Sequence, residues 1–119
     1  MSYFKIKSHA KVNLALNVVG KRASLHKVES IVSFLDLHDE IYIKKINYKN
    51  HKIEFKGKFS KGIKLKNTVS VLLEKIDNKK LLKNKYRIVI KKNIPNMAGL
   101  GGGSMNAANI LKFMVKKKL

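Results

Sequence analysis

Apolar and polar residues alternate along much of the chain, and this period-two pattern predicts strands over 2–7, 11–19, 28–37, 40–46, 52–56 and 86–92. Between the last two, Val69, Leu72, Leu73 and Ile76 fall at i, i+3, i+4 and i+7. That spacing predicts an amphipathic helix opening near Asn67 or Thr68, either of which can cap it. Ala107, Ala108, Leu111, Met114 and Val115 repeat the helical spacing near the end of the chain. A run of glycines therefore lies between a strand and a helix. Strands followed by single helices predict one α+β domain over residues 1–119. The apolar stripe of the last helix still runs at Leu119, with neither a glycine cap nor a stop signal, and so reads as truncated.

Hydrophobic residues make up 45% of the 119, enough for a packed core. No apolar run is long enough to span a bilayer, and the N-terminus alternates like a strand and lacks the apolar centre of a signal peptide. The absence of cysteine excludes disulfides and thiolate metal sites. A cytoplasmic protein without membrane attachment is the expectation. The final Lys116-Lys117-Lys118 is a weak membrane signal, because a core should occupy the apolar face of the helix before it.

A formal net charge of +20 changes the picture less than its size suggests. Among 27 basic residues only Arg22 and Arg87 are arginines, and the lysines are scattered along the whole chain. Nucleic-acid readers lean on the planar, bidentate guanidinium. An AT-rich coding bias would produce the same lysine excess with no selection for binding. In either case the field favours anionic small molecules, and charge alone names no partner.

The segment Pro95-Asn96-Met97-Ala98-Gly99-Leu100-Gly101-Gly102-Gly103-Ser104-Met105 carries the most chemistry. Consecutive glycines let backbone N–H groups converge on an anion without Cβ obstruction, and a helix just behind adds the positive end of its dipole. Ser104 could cap that helix, or its hydroxyl could reach a phosphate or a magnesium ion. No Lys-Ser/Thr pair follows the glycines, so this is not a Walker A loop. The position a dinucleotide fingerprint reserves for Gly or Ala holds Ser104. On strand 11–19, Lys11, Asn13 and Ala15 share one face, and Val12, Leu14, Leu16 and Val18 share the other as core.

Pro95 to Ala108 resembles the ATP loop of the superfamily of galactokinases, homoserine kinases, mevalonate kinases and phosphomevalonate kinases. The triple glycine and the Asn106-Ala107-Ala108 ending are most similar to its 4-diphosphocytidyl-2-C-methyl-D-erythritol kinases. Ala10-Lys11-Val12-Asn13-Leu14 is similar to the opening motif of that family, and Phe34 to Asp39 extends the likeness. The resemblance implies a truncated N-terminal kinase domain like ribosomal protein S5 domain 2, with a left-handed β-α-β crossover. It implies ATP and Mg²⁺, with the γ-phosphate passing to the 2-hydroxyl of a cytidine-diphosphate acceptor. Pro95–Met105 would hold ATP, Lys11 would polarise the hydroxyl, and Asn13 and His26 would seat the acceptor.

This chain departs from the family pattern in two places. Ala23-Ser24-Leu25 replaces Asp-Gly-Tyr before His26, so Leu25 offers only apolar contact where an aromatic ring would stack on cytosine. Met105 replaces a commoner serine. The family's catalytic aspartate and second lobe would lie beyond residue 119, so the isolated chain is expected not to turn over. Asp36, Asp39, Glu40 and Asp77 read as turn or helix-end residues, and Glu29, Glu54 and Glu74 have no companion suggesting chemistry. Two rival readings stay open: a basic RNA-binding module on the same fold, and a sibling kinase with another acceptor, such as homoserine or a mevalonate derivative.

Overall fold

The computed structural model describes residues 3–22, 25–64, 66–95 and 102–119, and gives the strand backbone alone for 12–22 and 25–34. The elements run β1 (Phe4–Arg22), β2 (Leu25–Ile46), β3 (Lys52–Lys56), α1 (Thr68–Asn78), β4 (Lys85–Lys91) and α2 (Gly102–Lys117). They form one mixed sheet in the order β1-β2-β4-β3, in which β1–β2 and β2–β4 are antiparallel and β3–β4 is parallel. Parallel neighbours require a crossover, and α1 supplies it between β3 and β4.

The expected strands 2–7 and 11–19 are one strand, and so are 28–37 and 40–46. The pairing of β1 with β2 survives register shifts between His9 and Lys11, Asn13 and Ala15, and Val19 and Lys21. Bulges of this kind absorb an extra residue without ending a strand, which a periodicity reading cannot anticipate. The third strand, 52–56, is found as expected, with Ile53 and Phe55 turned inward between the charged Lys52, Glu54 and Lys56. Strand β4 pairs with β2 only over Glu40–Ile46, so the remainder of β1 and β2 continues past the sheet as a two-stranded ribbon.

One sheet face carries both helices. Ile41, Ile43, Ile88 and Ile90 share one face, pair across β2 and β4 (Ile41 with Ile90, Ile43 with Ile88), and are at most 1% exposed. Val69, Leu73 and Ile76 of α1 and Ala107, Ile110 and Met114 of α2 close over them. Each large aliphatic side chain buried here contributes about 1.5–3 kcal/mol. Helix α1 opens as expected, with Asn67 as its cap: Asn67 Oδ1 accepts from the Ser70 amide at 3.0 Å, and the Asn67 amide donates to Ser70 Oγ at 2.8 Å.

The stripe expected on α2 is corrected. Ala107 and Met114 are buried, but Ala108 is exposed, as are Leu111 at 42% and Val115 at 70%. The buried face is instead Asn106, Ala107, Ile110 and Met114. A polar residue, Asn106, sits in that stripe and hid its phase. The apolar face preceding Lys116 is therefore only partly covered by the core. Among the described residues no helix is long and apolar enough to cross a membrane.

Candidate nucleotide cleft

Helices α1 and α2 bring their N-terminal ends together. A Cβ on Gly103 would lie 3.4 Å from Thr68 Oγ1, the first residue of α1. Between the two ends opens a cleft of about 310 Å³ lined by Lys64, Lys66, Asn67, Lys92, Gly103 and Asn106, with Phe55, Ile63 and Val69 as its apolar wall. Among the described residues no acidic one lines it, and none stands in the first turn of either helix. Two positive dipole ends and three lysines therefore face one cavity, an arrangement that attracts anions.

Asn106 provides a separate sign of a ligand. It is 1% exposed, and its buried Oδ1 has no hydrogen-bond partner among the described residues. A buried acceptor left unpaired costs about 1–3 kcal/mol, so a ligand that offers a donor there would be favoured. Asn106 also lines the cleft.

Beneath the cleft lies a pair that sequence reasoning missed. Lys92 Nζ donates to Asp39 Oδ2, with the two side chains 3% and 0% exposed. Asp39 Oδ1 accepts from the amides of Asn93 at 2.7 Å and Ile94 at 2.9 Å. Asp39 is thus a buried anchor and not the turn residue expected. A signal for it existed: Tyr86, Ile88, Ile90, Lys92 and Ile94 are alternate residues, and all are buried. A lysine on that face had to be paired.

The predicted site residues divide into three groups. Gly102, Gly103, Ser104 and Met105 form the first turn of α2, with Gly103 and Ser104 exposed toward solvent. Ser104 lies inside that turn and is not the cap, because Gly102 and Gly103 are themselves helical. Pro95 is half-buried at the end of the segment leaving β4, and Asn96, Met97, Ala98, Gly99, Leu100 and Gly101 lie outside the described residues. Lys11 is half-buried in β1, opposite Phe34, and the register runs unbroken from Lys11 to Asn13 before the shift at Ala15 interrupts the expected alternation.

Contacts between β1 and α2 fix where Lys11 falls. Phe4 meets Phe113 with ring centroids 5.3 Å apart, and Asn109 Nδ2 donates to Ser8 Oγ at 3.1 Å. Moving up β1 is therefore moving toward the N-terminus of α2. Three more residues of strand (~10 Å) reach Lys11, and five to seven of helix (~8–10 Å) reach Gly102–Ser104. Both lie at one end of the domain. Leu25 and His26 stand at the other end of the ribbon, opposite Arg22 and Lys21, up to ~33 Å of strand from Lys11. The structure does not gather them with the cleft.

Away from the cleft, Asp77 accepts from Lys85 Nζ at 2.8 Å and from His51 Nε2 at 3.0 Å. His51 Nδ1 accepts from the Tyr86 amide at 2.9 Å, which leaves the ring proton on Nε2 for Asp77. Burial works against the charged form of Asp77, yet hydrogen bonds from Lys85 and His51 and the charge of Lys85 hold its carboxyl below the ordinary range. The Tyr42 hydroxyl and Lys5 do the same for Glu40 against weak desolvation.

Residues 64–117 match the model of the GHMP kinases N terminal domain. These residues run from the cleft's Lys64 through α1, β4 and α2. Over that stretch, just under half of its length, the chain is similar to the GHMP kinases.

It is 59% identical over 120 residues to the 4-diphosphocytidyl-2-C-methyl-D-erythritol kinase of Pelagibacter ubique, covering 100% of this chain and 43% of that protein. The enzyme of the same name from Clostridioides difficile is 39% identical over 114 residues, covering 93% and 38%. The chain thus spans about two fifths of the length of these curated relatives. A crystal structure of 4-(cytidine 5'-diphospho)-2C-methyl-D-erythritol kinase superposes with a TM-score of 0.62 at 27% identity, over 97% of this chain and 41% of the other. A mevalonate kinase from methicillin-resistant Staphylococcus aureus shares the fold, with a TM-score of 0.56 at 15% identity over 92% and 36%. The α+β class expected agrees with the mixed sheet and helices observed and with the fold shared with these kinases.

Proposed function

We propose that this chain is the N-terminal part of a GHMP kinase, binds the triphosphate of ATP at the N-terminus of α2 and serves phosphoryl transfer to the 2-hydroxyl of 4-diphosphocytidyl-2-C-methyl-D-erythritol. The observation that carries the reading is the cleft between the two helix ends, cationic and lined by no carboxylate among the described residues; Asn106 Oδ1, an acceptor, suits a donor such as a ribose hydroxyl or a metal-bound water and not a phosphate oxygen. The names of the relatives support the choice of acceptor.

The residues present fit ATP. About 310 Å³ is the lower end of the size of small-molecule sites, and an apolar wall beside a few polar groups is their usual composition. Ser104, in the first turn of α2, and Thr68, which lines the cleft, are described hydroxyls that could reach a magnesium ion. Among the described residues no cluster of three or more acidic or histidine side chains could hold a metal alone. Magnesium would therefore arrive with the phosphates, keep several waters and supply charge neutralisation there.

In the reaction so read, the bond between the γ-phosphorus and the β,γ-bridging oxygen breaks as the acceptor oxygen bonds to that phosphorus. ADP leaves, and the acceptor proton passes to the aspartate that the family resemblance implies beyond residue 119. The first turn of α2 stabilises charge on the transferring group. The Lys11 ammonium, at the same end of the domain, favours the alkoxide character of the attacking oxygen. Asn13 seats the acceptor beside it; Leu25 and His26, up to ~33 Å of strand from Lys11, are left out of this arrangement. Pro95 to Met105 forms the phosphate loop as a whole.

Calorimetric titration of the chain with ATP and Mg²⁺ tests the binding half. One saturable site per chain is expected, with affinity lost on changing Asn106 or the glycines of α2. Substituting Lys11→Ala in the longest natural chain containing these residues tests the chemical half. It should lower kcat by at least about 100-fold with little change in ATP affinity.

A further inference from the structure

The nucleotide reading leaves unexplained why a lysine ammonium is buried beneath a helix N-terminus. A Cβ on Gly102, the first residue of α2, would lie 3.3 Å from Lys92 Nζ and 3.4 Å from Ile94 Cγ2. Helix N-termini favour anions, so a cation placed there works against stability and adds to the positive field felt in the cleft. Only a partner that holds it makes the placement tolerable.

Asp39 is that partner, and it does more than neutralise. Fully buried on β2, it receives Lys92 on one oxygen and the amides of Asn93 and Ile94 on the other. Asn93 Nδ2 also donates to the His38 carbonyl at 3.1 Å. The regular β2–β4 pairing ends at Glu40 and Lys91. The Asp39 side chain thus continues the pairing by another residue type's means and directs the chain from β4 toward Pro95. The Lys92 amide is held from the other side by the Lys56 carbonyl at 2.6 Å.

We infer that Asp39 is a positioning residue for nucleotide binding: through Lys92 and the Asn93 and Ile94 amides it seats the first turn of α2 and sets the floor of the cleft. This rests on the nucleotide reading above, and the experiment separates the two.

The Asp39→Asn variant keeps an oxygen for the two amides but removes the charge that holds Lys92. The probe is the fluorescent analogue mant-ATP with Mg²⁺, and the second readout is amide hydrogen exchange by NMR. In Asp39→Asn, mant-ATP affinity should fall roughly 10- to 100-fold, the range of a lost charged hydrogen bond. The amides of Asn93, Ile94, Asn106 and Ala107 should exchange at least about tenfold faster, the last two being the first to close on Gly102 and Gly103 carbonyls. The amides of Ile110 and Met114 should keep their protection. Asp77→Asn, which removes a structural carboxylate elsewhere, should leave the affinity within about twofold.

If Asp39→Asn does not fold, the double variant Asp39→Asn/Lys92→Met buries no charge and restores folding. Asn106 and Ala107 should still exchange faster in it. Wild-type affinity in a folded Asp39→Asn protein, or wild-type protection of Asn106 and Ala107 in either variant, would overturn the inference. A wild-type chain that binds no mant-ATP at about 1 mM would overturn the nucleotide reading. The exchange comparison would then still decide whether Asp39 seats α2.

Discussion

Lys92 on the segment leaving β4 and Asp39 on β2 form an ion pair with almost no solvent access, 3% and 0% of the side chains, beneath the first residue of α2. Removing one member leaves a charge stranded in the interior. Asp39→Ala should therefore destabilise the protein by about 3–5 kcal/mol in denaturant titration. Glu54→Ala, which breaks the exposed 3.2 Å contact with Arg87, should leave the denaturation midpoint nearly unchanged. Equal losses for the two variants would contradict the assignment of Asp39 as an anchor.

The segment beyond β3 gives a second contrast. Gly57 has φ +100°, and a Cβ there would stand 2.8 Å from the Lys92 carbonyl oxygen, whereas Gly62 has φ +81° with nothing within 4 Å. Gly62→Ala bears the backbone strain alone, about 1–2 kcal/mol. Gly57→Ala adds a backbone clash that no rotamer relieves, and should lower stability by a further ~1–3 kcal/mol. Thermal melts of the two variants side by side check the difference.

Asn106 separates stability from function. Its Oδ1 has no partner among the described residues, so Asn106→Leu forfeits little and should change stability by less than about 1.5 kcal/mol in either direction. The same change should weaken ATP binding at least about tenfold. Parallel loss of both would mark Asn106 as a purely structural residue.

Acid should expose Asp77. Its carboxyl is held below the ordinary value of 3.8 by Lys85 and His51 against the opposing effect of burial. A depressed folded-state pKa contributes stability that is complete above the ordinary value and is lost as pH falls through the folded value. Unfolding free energy should therefore decline below about pH 4. In Asp77→Asn this part of the decline should vanish, flattening the profile between about pH 4 and pH 2. An unchanged acid slope would mean that the three-residue contact does not persist in solution.

The parts of the fold that could be read from residue order are those set by local chemistry. The Asn67 cap, the Val69–Leu73–Ile76 stripe and the Ile53–Phe55 alternation each announce themselves within a few residues. The extent of β1 and β2 could not be read, because Ser8, Ala10 and Asp39 interrupt the apolar pattern while being fully buried. Their burial follows from long-range packing, such as Asn109 meeting Ser8 across α2. The glycine run was legible as a loop before a helix, and Gly102 and Gly103 open α2, but the inner wall of the cleft beside them did not show. Lys92 was one lysine among many, and Asn106, polar in a buried stripe, shifted the apparent face of α2. Lys11 was picked out by motif alone, and the antiparallel run of β1 against α2 now puts it at the same end as Gly102–Ser104.

The central claim is that the N-terminal turn of α2 and the cleft beside it hold a nucleoside triphosphate. It is tested most directly by following the amides of the ¹⁵N-labelled chain during titration with ATP and Mg²⁺, with a single-stranded RNA of mixed sequence as competitor. The account predicts a saturable response confined to Lys92, Gly102–Met105, Asn106 and Asn67–Thr68, with ATP retained when salt is raised and the RNA released. Contradiction would come from no saturable response in those residues, or from RNA binding across the lysine-rich surface with a steep salt dependence and no preference for the cleft.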